Sequence, residues 1–445
     1  MSRKSNRPIY FAKLGKIRYR KKLRRKKKIF RSDKSSNSLK KSRSKIKLSR
    51  YLDFFYNHDK KFKRSYKIRN DQIIIPKIFS LTEKANESFS CIHAILFHLK
   101  GNKEPSLDID YSNCQELHLD AQMYLDILLK EHIKYFRLKG YNIKLRLIGF
   151  RKNPSVLNLL ASVGSFAIHN QLDVVIPGVI KYPLCERKKR KGYTSKSVMA
   201  RKEIDTTSLA DYVINCLGEM NREMGSEKRN DLCKVIGEVL INAEEHSTMG
   251  GRYSVGQFVK NPNGKSGLFK LLIFNFGETI YEKFKSKDCP NKTVVKRMSD
   301  LSENYTRSGI FKSSIFEEET LWTLYALQEG ITSFADWKRG NGSIRFIESF
   351  FNIKGNQQVD QTSRLNILSG STRILFDGSH RIKEKVKMGE KFKVMTFNKS
   401  GEIENPPDQN YVTFADFYFP GTMISANIQI DENDIFKPDS NRDGK

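Results

Sequence analysis

The stretch DLCKVIGEVLINAEEHSTMGG sets a carboxylate, a carboxamide and an imidazole one helical turn apart, at Glu238, Asn242 and His246. Leu232, Val235, Ile236, Val239, Leu240 and Ala243 follow the i, i+3, i+4, i+7, i+8, i+11 spacing of one buried helix face. At about 100° per residue the three polar groups drift along the border of that face, while Lys234, Gly237, Ile241 and Glu245 point further out. A helix Glu is ordinarily solvated, and a border His is ordinarily a satisfied structural group. Asn is harder to place, because mid-helix it costs about 0.5 kcal/mol relative to Ala and competes for the backbone. It needs a partner outside the helix.

Three later pieces offer one. GLFKLLIFNFGETI holds a near-continuous apolar run, Leu268 to Phe274, typical of a strand covered on both faces. It ends in Asn275, Phe276 and Gly277, a polar side chain followed by a glycine that lets a ligand approach the backbone. WKRGNGSIRFIESFF puts Arg339, Gly340 and Gly342 just before a helix, where free amides and a cation suit phosphate. FPGTMISANIQI carries Gly421 and Thr422 into a final alternating strand.

In this order the four pieces resemble the histidine-kinase-like ATPase superfamily, GHKL, with its Bergerat ATP-binding fold. The helix matches the N box, NFGETI the DxGxGI box, RGNG the second glycine box and PGT the last, over residues 206 to 431. The resemblance implies that Asn242 holds the Mg²⁺ bridging the phosphates and that Glu238 orients or deprotonates the attacking water. An amide oxygen is a hard ligand that suits Mg²⁺, and a border carboxylate is available as a general base. His246 would border the same pocket, with Asn275, Gly277, Thr279, Arg339, Gly340, Gly342, Gly421 and Thr422 completing the nucleotide site. Two positions depart from the family. Its adenine-reading Asp is Asn275 here, which keeps an acceptor oxygen without the charge, and its second glycine is Thr279, which brings a β-branched side chain into a tight turn. The segment from Tyr281 to Lys338 would form or carry the lid, with EEETLWTLYALQEGI as a clear helix. The insertion over 376–410 has no chemical role that the sequence reveals.

Other chemistries are excluded. Gly264, Lys265 and Ser266 imitate the end of a P-loop, but Val259 stands where its first glycine is required. There is no GxSxG elbow and no HExxH pair. A histidine kinase needs a phosphoacceptor helix, and LADYVINCLGEM contains no His.

The elements that must position these residues occupy a chain of 445 residues, 38% hydrophobic, enough for more than one core. The fold class expected is α/β and α+β: a small STAS-like α/β domain over 71–182, a basic linker over 183–205, and a Bergerat-type α/β sandwich over 206–435, with a tail to 445. SLDIDY and NIKLRLIGF alternate as strands, LDVVIP is a third, and DAQMYLDILLKEHIKYFRLKG and NPSVLNLLASVG are helices closed by Gly140 and Gly164. Strand, long helix, strand and a short helix with LLASVG resemble a STAS-type regulatory domain, the usual partner of anti-sigma-type kinases.

The net charge of +32 is mostly local: residues 1–70 hold 28 Lys plus Arg against 3 Asp, which is +25. This Ser-rich, weakly apolar arm is expected to be disordered. It suits nucleic acid, with Tyr19, Phe30 and Tyr51 available for stacking; contact with ten phosphates implies a log-log salt slope of about −9. An anionic membrane or an acidic protein partner are the alternatives. Six cysteines without CxxC or zinc-type spacing, and no apolar run near 18 residues, point to a cytoplasmic protein with reduced thiols and no transmembrane segment. Three functions follow: an Mg-ATP-dependent conformational switch working with the STAS-like domain or another regulatory protein partner, a non-catalytic scaffold on the same fold, or an anti-sigma-type Ser/Thr kinase.

Overall fold

The computed structural model describes residues 46–58, 66–101, 105–141, 143–169, 176–188, 195–306, 315–331, 333, 342–354, 359–387 and 390–431. Its first helix, α1 (Arg50–His58), forms because Tyr51, Leu52, Phe55 and Tyr56 fall on one side, and all four are buried. The basic arm therefore does not run unstructured to residue 70. Tyr51 stacks on Phe276 with ring centroids 5.1 Å apart, so it is not available to a nucleobase. The stretch 1–45, with Tyr19 and Phe30, lies outside the described residues, as does the tail beyond 431.

The N-terminal unit comprises β1 (Gln72–Ile74), β2 (Ile78–Phe79), α2 (Ala85–Gly101), β3 (Ser106–Asp110), β4 (Glu116–Leu117), α3 (Leu119–Lys139), β5 (Lys144–Ile148), α4 (Pro154–Val163) and α5 (Ser165–Ile168). β1, β3 and β5 make a parallel sheet, which demands helical crossovers, and α2 and α3 supply them. The ends of the helices obey local chemistry. Gly140 and Gly164 adopt φ of 77° and 78° at C-caps, and Asn153 Oδ1 accepts from Ser155 N at 3.0 Å ahead of Pro154. Residues 172–175 of the expected LDVVIP strand lie outside the described residues, and Ile176 and Pro177 are not extended into a sheet.

The second unit comprises β6 (Val179–Lys188), α6 (Ser195–Gly218), α7 (Ser226–Glu245), β7 (Gly251–Lys260), β8 (Ser266–Phe276), α8 (Ile280–Lys285), α9 (Lys292–Thr306), α10 (Glu318–Ala326), α11 (Gly342–Lys354), β9 (Arg364–Phe376), β10 (Lys383–Lys387), β11 (Glu390–Val394) and β12 (Val412–Asp431). Five strands form an antiparallel sheet in the order β6-β7-β8-β12-β9. The expected linker over 183–205 is largely structure: residues 183–188 belong to edge strand β6, and α6 begins at Ser195. The cause is electrostatic as well as apolar. Asp205 is buried and accepts from Arg187 and from the fully buried Arg252 on β7, at 2.7 and 2.6 Å. The two guanidiniums hold its carboxyl below the usual range against the opposing effect of burial.

Both faces of β8 are covered. Phe269, Leu271 and Ile273 pack with α6, α7 and α11, while Leu272, Phe274 and Phe276 belong to the core of the N-terminal unit. One apolar cluster thus runs from β3 and α3 through to β8 and β12. The insertion over 376–410 contains the β10–β11 hairpin, tied to α11 by Lys393 Nζ bonding Glu348 at 2.7 Å. The architecture is mixed α/β with a parallel and an antiparallel sheet. All six cysteines are free, and among the described residues no helix is long and apolar enough to cross a membrane.

Candidate functional site

Leu232, Val235, Ile236, Val239 and Leu240 anchor α7 to the sheet. That leaves its polar edge over the end of β8 and the middle of β12. There a cavity of about 340 Å³ opens, lined by Glu238, Asn242 and His246 from α7, Asn275 from β8, Thr279 and Lys283 at α8, and Thr422 from β12. Ile273, Ile367 and Ile424 of the sheet and Phe284, Leu327 and Phe346 give it apolar walls. Ile241 and Glu245, expected to point further out, also line it.

Asn275 is the least satisfied group in this wall. It is 1% exposed, and its Nδ2 has no hydrogen-bond partner. Leaving a buried amide unpaired costs about 1–3 kcal/mol, so this donor is open to a water or a ligand in the cavity.

The glycines do a different task. Neither Gly277 nor Gly421 is among the lining residues. A Cβ on Gly277 would collide with the carbonyl oxygen of His246 and the amide of Thr248, so glycine lets the end of β8 touch the end of α7. Gly277 N donates to Pro420 O at 3.1 Å, and Met249 N to Phe276 O at 3.2 Å. Gly421 has φ 142°, and a Cβ there would strike the carbonyl oxygen of Asn275. These contacts bring the helix edge, the end of β8 and the middle of β12 together.

Thr279 does not strain a tight turn. It caps α8 with φ −72°: its side chain accepts from Glu282 N at 3.1 Å, and Glu282 accepts from Thr279 N at 2.9 Å. Ser369, which the sequence did not single out, pins this turn. Its Oγ accepts from Ile280 N at 2.9 Å and lies 3.0 Å from Thr422 Oγ1. Arg339 and Gly340 lie outside the described residues, and Gly342 opens α11, whose Ser343 lines the cavity.

Lys283 was also missed. Its Nζ lies 3.0 and 3.1 Å from the two ring nitrogens of His246. Burial first, and the ammonium second, lower the imidazole pKa to about 4. Burial thus favours the neutral ring, and the Lys283 ammonium lies against it. The sequence held a signal, since the T-x-x-E box at Thr279–Glu282 announces a helix and sets Lys283 in its first turn.

Chemically, one side of the cavity is apolar, and the other offers oxygens from Glu238, Asn242 and Thr422 with one amide and one ammonium. An apolar pocket with a few convergent polar groups is the form that small-molecule sites take. No protein-family model, no curated protein and no solved structure matches the chain.

Proposed function

We propose that the protein binds Mg-ATP in this cavity and acts as a nucleotide-dependent conformational switch of the histidine-kinase-like ATPase type, with the N-terminal unit as a fused STAS-like regulatory domain. The observation that carries the reading is that Glu238, Asn242 and His246, one turn apart on α7, face the unpaired Asn275 amide across one cavity. The antiparallel sheet with α6, α7 and α11 on one face supports a Bergerat-type arrangement, and the parallel β1-β3-β5 sheet supports the STAS-like one.

The residues present fit the ligand. Asn275 would bond the base edge, where a carboxamide offers both an acceptor and a donor. The isoleucine and phenylalanine walls would cover ring and sugar. Asn242 Oδ1 and the Glu238 carboxylate are the hard donors that would hold magnesium. A magnesium ion held by these two residues would neutralise part of the phosphate charge. Glu238 accepts the proton of a water directed at the terminal phosphate, and the apolar walls keep bulk water out. A protein hydroxyl in place of that water would make the same site an anti-sigma-type kinase.

The scaffold reading, in which nucleotide is not turned over, is favoured by one feature: Thr279 is committed to capping α8 rather than left open to a ligand.

Thermal unfolding with and without Mg-ATP tests the proposal. At about 100 times its Kd, nucleotide stabilises the native protein by roughly 2.7 kcal/mol. Asn242→Ala abolishes the shift, and Glu238→Ala keeps the shift while stopping phosphate release. A native protein that does not respond to Mg-ATP rejects nucleotide binding and favours the scaffold.

A further inference from the structure

We propose that Ser369 is a positioning residue that makes the Thr422 hydroxyl a pure acceptor towards the cavity, so that the site takes a purine with an amino group at C6 and rejects one with a carbonyl there. This assignment rests on the nucleotide reading of the cavity and goes further by naming the residue that selects the base.

The sheet sets three small polar side chains in one row. Thr422 on β12 is paired in register with Asn275 on β8 and with Ser369 on β9. Directly opposed residues of neighbouring strands turn their side chains to one face. The row beyond is Ile273, Ile424 and Ile367, registered in the same way, and all three line the cavity. Asn275 and Thr422 line it as well, while Ser369 is fully buried beside Thr422 and is not part of the lining.

A serine hydroxyl has one proton and two lone pairs, and the partners of Ser369 Oγ use all three. Ile280 N donates to it at 2.9 Å. Gly421 O, 3.1 Å away, is a carbonyl and can only accept, so the serine proton goes there. This carbonyl lies where the β9–β12 ladder shifts register, between Phe419 and Thr422. One lone pair of Oγ remains, and Thr422 Oγ1 at 3.0 Å donates to it. The threonine proton is therefore held inside the sheet, and Thr422 has only lone pairs to offer the cavity.

Asn275 alone does not choose a base. A carboxamide offers one acceptor and one donor, and turning it over reverses their order. In one orientation it matches the amino group and N1 of adenine, and in the other the carbonyl and N1–H of hypoxanthine. Thr422 removes the ambiguity, because an acceptor beside the C6 substituent bonds an amino group and opposes the lone pairs of a carbonyl. With the amino group on that side, the unpaired Asn275 Nδ2 meets its acceptor in the ring nitrogen N1.

The test compares binding of Mg-ATP and of magnesium inosine triphosphate, whose base is hypoxanthine, by calorimetry for the native protein, Ser369→Ala, Thr422→Val and the double variant. Native protein is expected to prefer Mg-ATP by about tenfold or more. In Ser369→Ala the Thr422 proton is free to reach a carbonyl, so the inosine nucleotide binds more tightly and the preference falls to about threefold or less. Thr422→Val, which leaves the Ser369 bonds to Ile280 and Gly421 in place, loses the preference by weakening Mg-ATP alone. Adding Ser369→Ala to it changes the ratio no further. A variant whose fold is merely loosened weakens both nucleotides equally and keeps the ratio. An unchanged ratio in either single variant, or a native preference for hypoxanthine, overturns the inference and leaves nucleotide binding standing. Native protein that binds neither nucleotide rejects the cavity reading itself.

Discussion

Asn275 separates stability from function at a single residue. Its Nδ2 is buried without a partner, so this donor adds no hydrogen bond to the fold. Asn275→Leu, of similar shape, is expected to leave the unfolding midpoint without ligand unchanged or raised, by up to about 1 kcal/mol, and to remove the Mg-ATP-dependent shift. Loss of stability without ligand would show that the amide serves the fold. His246 gives a pH signature. Its folded pKa of about 4 lies below its ordinary value near 6.5, so the unfolded chain takes up the proton first. The stability it contributes is complete above pH 6.5 and is lost as pH falls towards 4. His132, also lowered to about 4 by burial against the raising effect of its Nδ1 contact with Leu128 O at 3.1 Å, adds to the same loss. His246→Gln should flatten part of the decline in unfolding midpoint between pH 6.5 and 4; a decline as steep as the native one would place the coupling elsewhere. At this scale the helix-edge trio and Thr422 were legible from spacing and order, while Lys283 and Ser369 were not. Both act through turns that fold up around Thr279, a contact no periodicity encodes.

Among the elements, α1 departs most from its composition. A run of lysines and arginines leads into RYLDFFYNH, and the average charge conceals four apolar residues on one face. Tyr51 is 3% exposed and stacks on Phe276, with its hydroxyl unpaired. Tyr51→Ala should cost about 3–5 kcal/mol in urea unfolding, and Tyr51→Phe nothing or less than nothing. Equal behaviour of the two variants would mean that the ring does not anchor the helix. The long helices and strands of both units were legible because caps and apolar periodicity agree, as at Asn153, Pro154 and Gly164. β6 was hidden because its PLCERK sequence is charged, and it is held by pairing with β7 and by the Asp205 cluster, which lies 17 residues further on.

Across the whole molecule, the apolar cluster that includes Leu107, Tyr124, Phe274 and Phe419 joins units the sequence reads as separate domains. Sequence divides them because a parallel αβ pattern gives way to a long helix and antiparallel strands, and the shared core arises from pairings too distant for local pattern to show. Urea unfolding followed by far-UV circular dichroism and by tryptophan fluorescence should give coincident midpoints. Two resolved transitions would show that the units come apart.

Successive side chains leave a strand on opposite sides, and β8 ends with Asn275 turned to the cavity and Phe276 seated among Tyr51, Tyr124 and Phe419. The leading helix α1 and the lining of the cavity therefore meet at neighbouring residues of one strand.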